Sequence, residues 1–180
     1  MAQRSCEYKG GLSGKPRLKG CALYALSYSF AFLLFQGSLT CLAPGMFLDQ
    51  TGKEVKDVKG AGLYVQARSG KVVRVQMPST ACGFQIGETS QIQSGGLLQA
   101  TPHAVKAGAG IPGVTRQSFA VFLEPEFESP LEIPAGKTVD DCQASTAQLP
   151  PSVRPLRERW RPGQTFGDFH TVTVSAFATD

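Results

Sequence analysis

Residues 82–125, CGFQIGETSQIQSGGLLQATPHAVKAGAGIPGVTRQSFAVFLEP, set the fold class of this chain. Their apolar runs are only a few residues long and are punctuated by Gly, Ser, Thr and Pro. Such runs are too short for helices and are bounded as strands are. CGFQIG (82–87) reads as a short strand, and ETSQIQSGG (88–96) as a helical turn or loop closed by paired glycines. LLQATPHAV (97–105) and TRQSFAVFLEP (115–125) bracket the Gly-rich KAGAGIPGV (106–114), which predicts a β-hairpin with a long connection. In its second strand Phe119, Val121 and Leu123 alternate with Ser118, Ala120 and Phe122.

Upstream, LYVQAR (63–68) and KVVRVQM (71–77) flank Ser69-Gly70, a two-residue turn between alternating runs and a strong hairpin signal. Leu63, Val65 and Ala67 share one face, opposite Val73, Val75 and Met77. Downstream, residues 124–155 are Pro-rich and polar and read as a surface excursion. PPSVRPLRERW (150–160) suits a short helix, and FHTVTVSAF (169–177) alternates like a final strand. The expected architecture is mostly β, a sandwich or barrel of short strands.

The 180 residues suffice for one domain with a core, and 42% apolar against 18% charged content excludes a disordered chain. Net charge is +4, but the basic residues are scattered and no RNP-type motif occurs, so nucleic acid is not an expected partner. Cys6, Cys21, Cys41, Cys82 and Cys142 are odd in number, dispersed and free of Cys-x-x-Cys spacing. They read as reduced, mostly buried thiols of a cytoplasmic protein rather than a disulfide framework or zinc knuckle.

Between Cys21 and Leu48 no residue is charged, and CALYALSYSFAFLLF (21–35) is almost continuously apolar behind the basic KPRLKG (15–20). Three readings compete. The run is a buried core segment, or 15–35 is a secretory signal or anchor, or the run spans a membrane. Fifteen residues fall short of the roughly 20 that a span needs. Core burial is the expectation, with a secreted or anchored β-sandwich binding protein as the alternative localisation and function.

Chemistry concentrates on few residues. The histidines are His103 and His170. His103 lies on one arm of the predicted 97–125 hairpin, and Arg116-x-Ser118 opens the other. A guanidinium fork with a hydroxyl two residues along suits a small carboxylate. A histidine standing alone is more often structural than a ligand, and an isolated Arg-x-Ser is weaker still.

In combination these residues resemble the iron(II)/2-oxoglutarate-dependent oxygenases of the isopenicillin N synthase-like branch. The likeness is carried by Gln85, Gly87-Glu88, Ser94-Gly95-Gly96, Ala100-Thr101-Pro102-His103, Arg116-x-Ser118 and the tail RWRPGQTFGDF (159–169). It runs from Gly37 to about Phe177. It implies a partial double-stranded β-helix, or jelly roll, over 37–180, behind an unrelated apolar leader 1–36 and with a short C-terminal helix. It also implies Fe(II) and 2-oxoglutarate as cofactor and co-substrate. His103 then matches the distal iron ligand, and Arg116 with Ser118 the pair that holds the far carboxylate of 2-oxoglutarate. The activity implied is oxidation of a small organic substrate, coupled to decarboxylation of 2-oxoglutarate.

One departure stands out. The family's His-x-Asp is followed by x-Gly-x-x-Thr, which here fits Gly37-Ser38-Leu39-Thr40, so the ligand positions fall on Leu33 and Phe35. Neither side chain can coordinate a metal. Glu7 is the only carboxylate before Asp49, and recruitment of His170 is a minor alternative to its being a surface histidine. The expectation is therefore a family member impaired as an enzyme, with Leu33 and Phe35 plugging the space where iron would sit. The alternative is a non-enzymatic product that binds a 2-oxo acid or serves as an interaction module.

Overall fold

The computed structural model describes residues 36–56, 58–106, 111–143, 149–150 and 153–177. The run 21–35, with Leu33 and Phe35, lies outside the described residues. Among those described, no helix is long and apolar enough to cross a membrane.

Eight strands come first in chain order: β1 (Leu39–Leu42), β2 (Met46–Leu48), β3 (Gly62–Gln66), β4 (Val72–Arg74), β5 (Gly83–Ile86), β6 (His103–Lys106), β7 (Thr115–Gln117) and β8 (Ala120–Leu123). Helix α1 (Glu88–Gln93) interrupts them after β5, and α2 (Val139–Gln143), α3 (Leu156–Arg159) and α4 (Phe166–Phe177) follow. Every strand pairing is antiparallel, and the pairs nest: β1 with β8, β2 with β7, β3 with β6. A ribbon doubled back on itself in this way is how a jelly roll is wound. Further pairings of β5 on β1 and β4 on β3 complete sheets of order β5-β1-β8 and β4-β3-β6, with β2-β7 between them in the ribbon. The fold is thus mostly β and a partial jelly roll, as expected.

The ribbon turns a corner between β1/β8 and β2/β7. There Ala43-Pro44-Gly45 faces Ser118-Phe119, and only Ala43 N–H still donates across, to Phe119 O at 3.0 Å. Pro44 has no N–H to give, so the ladder breaks here. The β3–β4 hairpin forms as the sequence reads, with Val65 opposite Val73 and Gly70 at φ +80° in the turn. Helix α1 likewise ends at Gly95 and Gly96, both at positive φ.

The 97–125 hairpin is not formed. Strand β6 pairs with β3, while TRQSFAVFLEP divides into β7 and β8, which pair with β2 and β1. In a nested ribbon the partner of a strand lies far upstream, so adjacency in sequence misleads.

Two further corrections concern the C-terminal part. FHTVTVSAF is helical rather than a strand. Phe166, Phe169 and Thr173 are buried at helical spacing, while Val172 and Val174 face solvent. Thr165 and Asp168 cap the first turn reciprocally: Asp168 N–H donates to Thr165 Oγ1, and Thr165 N–H to Asp168 Oδ2. Packing of that stripe overrides the β propensity of Val-Thr-Val. Residues 124–155 are also no mere surface excursion, because Leu131, Cys142 and Val153 are buried. The segment is strapped to the start of α4 by Leu131 N–H to Gln164 O and Phe166 N–H to Ser129 O.

The main core lies among the helices. Ile92, Leu131, Cys142, Leu156, Trp160, Phe166 and Phe169 form one buried cluster. Glu88 and Arg159 are buried together at its edge. Among the described residues the thiols are free, with Cys142 buried, Cys41 half-buried and Cys82 exposed.

Candidate functional site

His103 opens β6 opposite Val65 of β3 and follows the buried Pro102. Its Nδ1 lies 3.3 Å from Thr101 O, and the side-chain amide of Gln85 meets the same nitrogen. Thr101 O only accepts and so calls for a proton on Nδ1, whereas Gln85 Nε2 only donates and so calls for a lone pair there, and the two contacts belong to opposite tautomers of the imidazole. Burial pushes the His103 pKa down from its usual value, against a smaller opposing effect of the Thr101 hydrogen bond.

Gln85 stands in β5 directly opposite Thr40 of β1. Thr40 is buried, and its Oγ1 has no hydrogen-bond partner among the described residues. Thr40 and Gln85 thus share one face of the β5-β1-β8 sheet, and the Gln85 side chain reaches from there to His103 in the β4-β3-β6 sheet. In the sequence Thr40 stands out only within Gly37-Ser38-Leu39-Thr40. Its alternation with apolar Leu39 and Cys41 was the available sign that it points inward.

Arg116 is the middle residue of β7, opposite Phe47. It is half-buried, and its Nε is a buried donor without a hydrogen-bond partner among the described residues. Burial pushes the guanidinium pKa down, although a guanidinium remains charged at any pH the protein would meet. The space beside it is kept by Gly45, since a Cβ there would stand 2.8 Å from Arg116 Nη2. A planar cation held this way offers a ready fork for a carboxylate.

Ser118 lies one residue beyond β7, at the ribbon corner, and is exposed. His103 sits in the β4-β3-β6 sheet and Arg116 in the β2-β7 pair, so they are not arms of one hairpin. Among the described residues no hydrogen bond joins His103, Arg116 and Ser118. His170 lies on α4, with Nδ1 3.3 Å from the Gln36 amide and its ring tilted against Phe127 and Phe166. It is half-buried rather than a surface histidine.

The residues present do not fit an iron centre. Among the described residues no group of three or more His, Cys, Asp or Glu side chains could hold a metal. Glu88, the carboxylate next to the Gln85 strand, is bound on both oxygens by Arg159. A dedicated site needs several ligands in fixed geometry, and His103 supplies one.

No protein-family model matches the chain, and a search of curated proteins finds no match. Solved structures do match it. One is a protein from Caulobacter crescentus described as of the 2OG-Fe(II) oxygenase family, at TM-score 0.50 and 15% identity, over 79% of this chain and 38% of that one. Another is the dioxygenase for auxin oxidation in rice, at TM-score 0.50 and 21% identity, over 78% of this chain and 38% of that one. This chain therefore has the fold of 2-oxoglutarate/iron oxygenases, over a stretch that spans 38% of the length of these two neighbours.

Proposed function

We propose that this chain is a 2-oxo-acid-binding module of iron(II)/2-oxoglutarate oxygenase ancestry that does not turn over by itself. The observation that carries the reading is Arg116, a half-buried guanidinium whose Nε has no partner among the described residues and beside which Gly45 leaves room. A buried donor without a partner costs about 1–3 kcal/mol, and a ligand carboxylate would recover that. The fold shared with proteins named as oxygenases supports a dicarboxylic 2-oxo acid as the ligand class. The missing ligand set supports the absence of turnover.

Calorimetric titration of the full chain with 2-oxoglutarate, with chelator present, tests it. Saturable binding is expected, and Arg116→Gln should weaken it by about tenfold to a hundredfold, the worth of a charged hydrogen-bonded contact. Absence of saturable binding, or binding that Arg116→Gln leaves unchanged, would overturn the proposal.

A second reading, competence as an oxygenase, is favoured by one observation, the burial of His103, which pushes its pKa down and keeps the imidazole neutral, the form that ligates a metal. Iron-dependent formation of succinate above the level of a His103→Ala control would establish it in place of the first.

A further inference from the structure

Two cysteines meet at one end of the β1/β5 ladder. Cys41 stands opposite Phe84, and Leu42 opposite Gly83. Cys82 directly precedes β5, two residues from Phe84. Side chains two apart on an extended chain share a face, so Cys82 is the diagonal neighbour of Cys41 across the strands. Both thiols are free, and the Cys41 thiol is hydrogen-bonded to Cys82.

Their surroundings divide the work between them. Cys82 is exposed and Cys41 half-buried. Burial pushes the Cys41 thiol up, and its hydrogen bond to Cys82 and the charge of a Cys82 thiolate push it the same way. Cys41 therefore keeps its proton while Cys82 meets the reagent, the division between a resolving and an attacking thiol. The backbone permits closure. Cys82 follows a turn over 78–81, tied by Ala81 N–H to Pro78 O at 3.0 Å, and lies outside the β1/β5 ladder. It can shift toward Cys41 without breaking a rung, to bring the two Cα atoms within the roughly 4.4–6.8 Å that a disulfide spans.

We propose that Cys41 and Cys82 are a redox-sensitive thiol pair that a peroxide closes to a disulfide. The Cys82 thiolate attacks one peroxide oxygen. The S–O bond forms, the O–O bond breaks, and the departing hydroxide takes a proton and leaves as water. Cys41 sulfur then attacks the sulfur of the Cys82 sulfenic acid. The S–S bond forms, the S–O bond breaks, and the second hydroxide leaves as water with the Cys41 proton. Two thiols thus give two electrons to one peroxide, with one disulfide and two waters formed. The link closes a ring over residues 42–81, which holds β2, β3 and β4. Those include the strands that pair with the strands of Arg116 and His103.

Equimolar hydrogen peroxide added to the reduced full chain tests this, with leftover thiols blocked by iodoacetamide. Chymotrypsin, used without reduction, separates Cys21 from Cys41 by cutting after Phe35, and mass spectrometry identifies the linked peptides. A 41–82 link within the monomer should exceed any other cysteine pair by about tenfold or more, the advantage of preset proximity, and dithiothreitol should undo it. In Cys41→Ser the reaction should stop at the Cys82 sulfenic acid, caught as a dimedone adduct. Links from Cys82 mainly to Cys6, Cys21, Cys142 or a second molecule would overturn the proposal. So would a wild-type Cys82 that is oxidised past the sulfenic acid or left reduced. The wild-type result decides by itself if Cys41→Ser does not fold.

Discussion

Arg159 grips Glu88 with both ends of its guanidinium, Nη1 donating to Oε2 at 2.7 Å and Nη2 to Oε1 at 2.5 Å, with both side chains about 1% exposed. Burial pushes the Glu88 carboxyl upward while the guanidinium opposes it. Nη1 also donates to Thr173 Oγ1 at 3.2 Å, so a residue of α3 ties α1 to α4. Breaking one side strands a buried charge. Glu88→Gln or Arg159→Met should destabilise by about 3–5 kcal/mol, whereas Glu88→Leu with Arg159→Met should recover most of that loss. Urea denaturation of the three variants checks both halves, and equal losses in all three would show that the pair itself contributes the stability.

The end of α1 depends on one glycine more than on its neighbour. Gly96 lies at φ +78°, and a Cβ there would stand 2.1 Å from the backbone oxygen of Asp141. At Gly95 the obstacle is the flexible Lys137 side chain, and at Gly52, also at positive φ, the space is open. Gly52→Ala should cost about 1–2 kcal/mol, the left-handed penalty alone. Gly96→Ala should cost at least about 3 kcal/mol, because α2 must move. Thermal melts ranked 52, 95, 96 in rising cost would bear this out.

The cap of α4 is a smaller, local effect. Thr165→Ala removes the acceptor for Asp168 N–H and the partner of Asp168 Oδ2, and should cost about 1 kcal/mol. Amide exchange should quicken in the first turn of α4 with little change in the β3–β4 hairpin.

His103 makes stability depend on pH in one window. Its folded pKa lies below the ordinary value, so between the two values the unfolded chain binds the extra proton. The stability linked to His103 is fully present above about pH 6.5 and is lost as pH falls from there through the folded value, with a slope of at most about 1.4 kcal/mol per pH unit. Asp49, Asp141 and Asp168, held low by hydrogen bonds, act in the acidic range below that. His103→Gln should flatten the wild-type profile as pH falls below about 6.5, and an unchanged slope would show that the imidazole is not the group responsible.

What could be read from the chain were features closed by local chemistry. The Ser69-Gly70 turn, the paired glycines after α1 and the α3 helix all rest on residues within a few positions of one another. The partners of β6, β7 and β8 lie upstream across most of the domain, and no local signal names them. The tail misled because its β-branched residues face solvent while Phe166, Phe169 and Thr173 hold the helix by packing. The sign that would have corrected it is Thr165-x-x-Asp168, a capping pair at the head of the segment. Within the site, residue types singled out Arg116, but not that a glycine in β2's approach clears its space.

The nesting of β1/β8 around β2/β7 and β3/β6 also governs how the chain must find its structure. Leu39 has to meet both Ile86 and Leu123, and Glu88 has to meet Arg159 from 71 residues away, before either sheet or helical core is closed. Loop-closure entropy is therefore lost ahead of most of the contacts that repay it. Among the described strands the β3–β4 hairpin is the one pair that can form without waiting, so refolding should begin there and proceed outward along the ribbon, on a millisecond-to-second scale rather than that of a helical bundle.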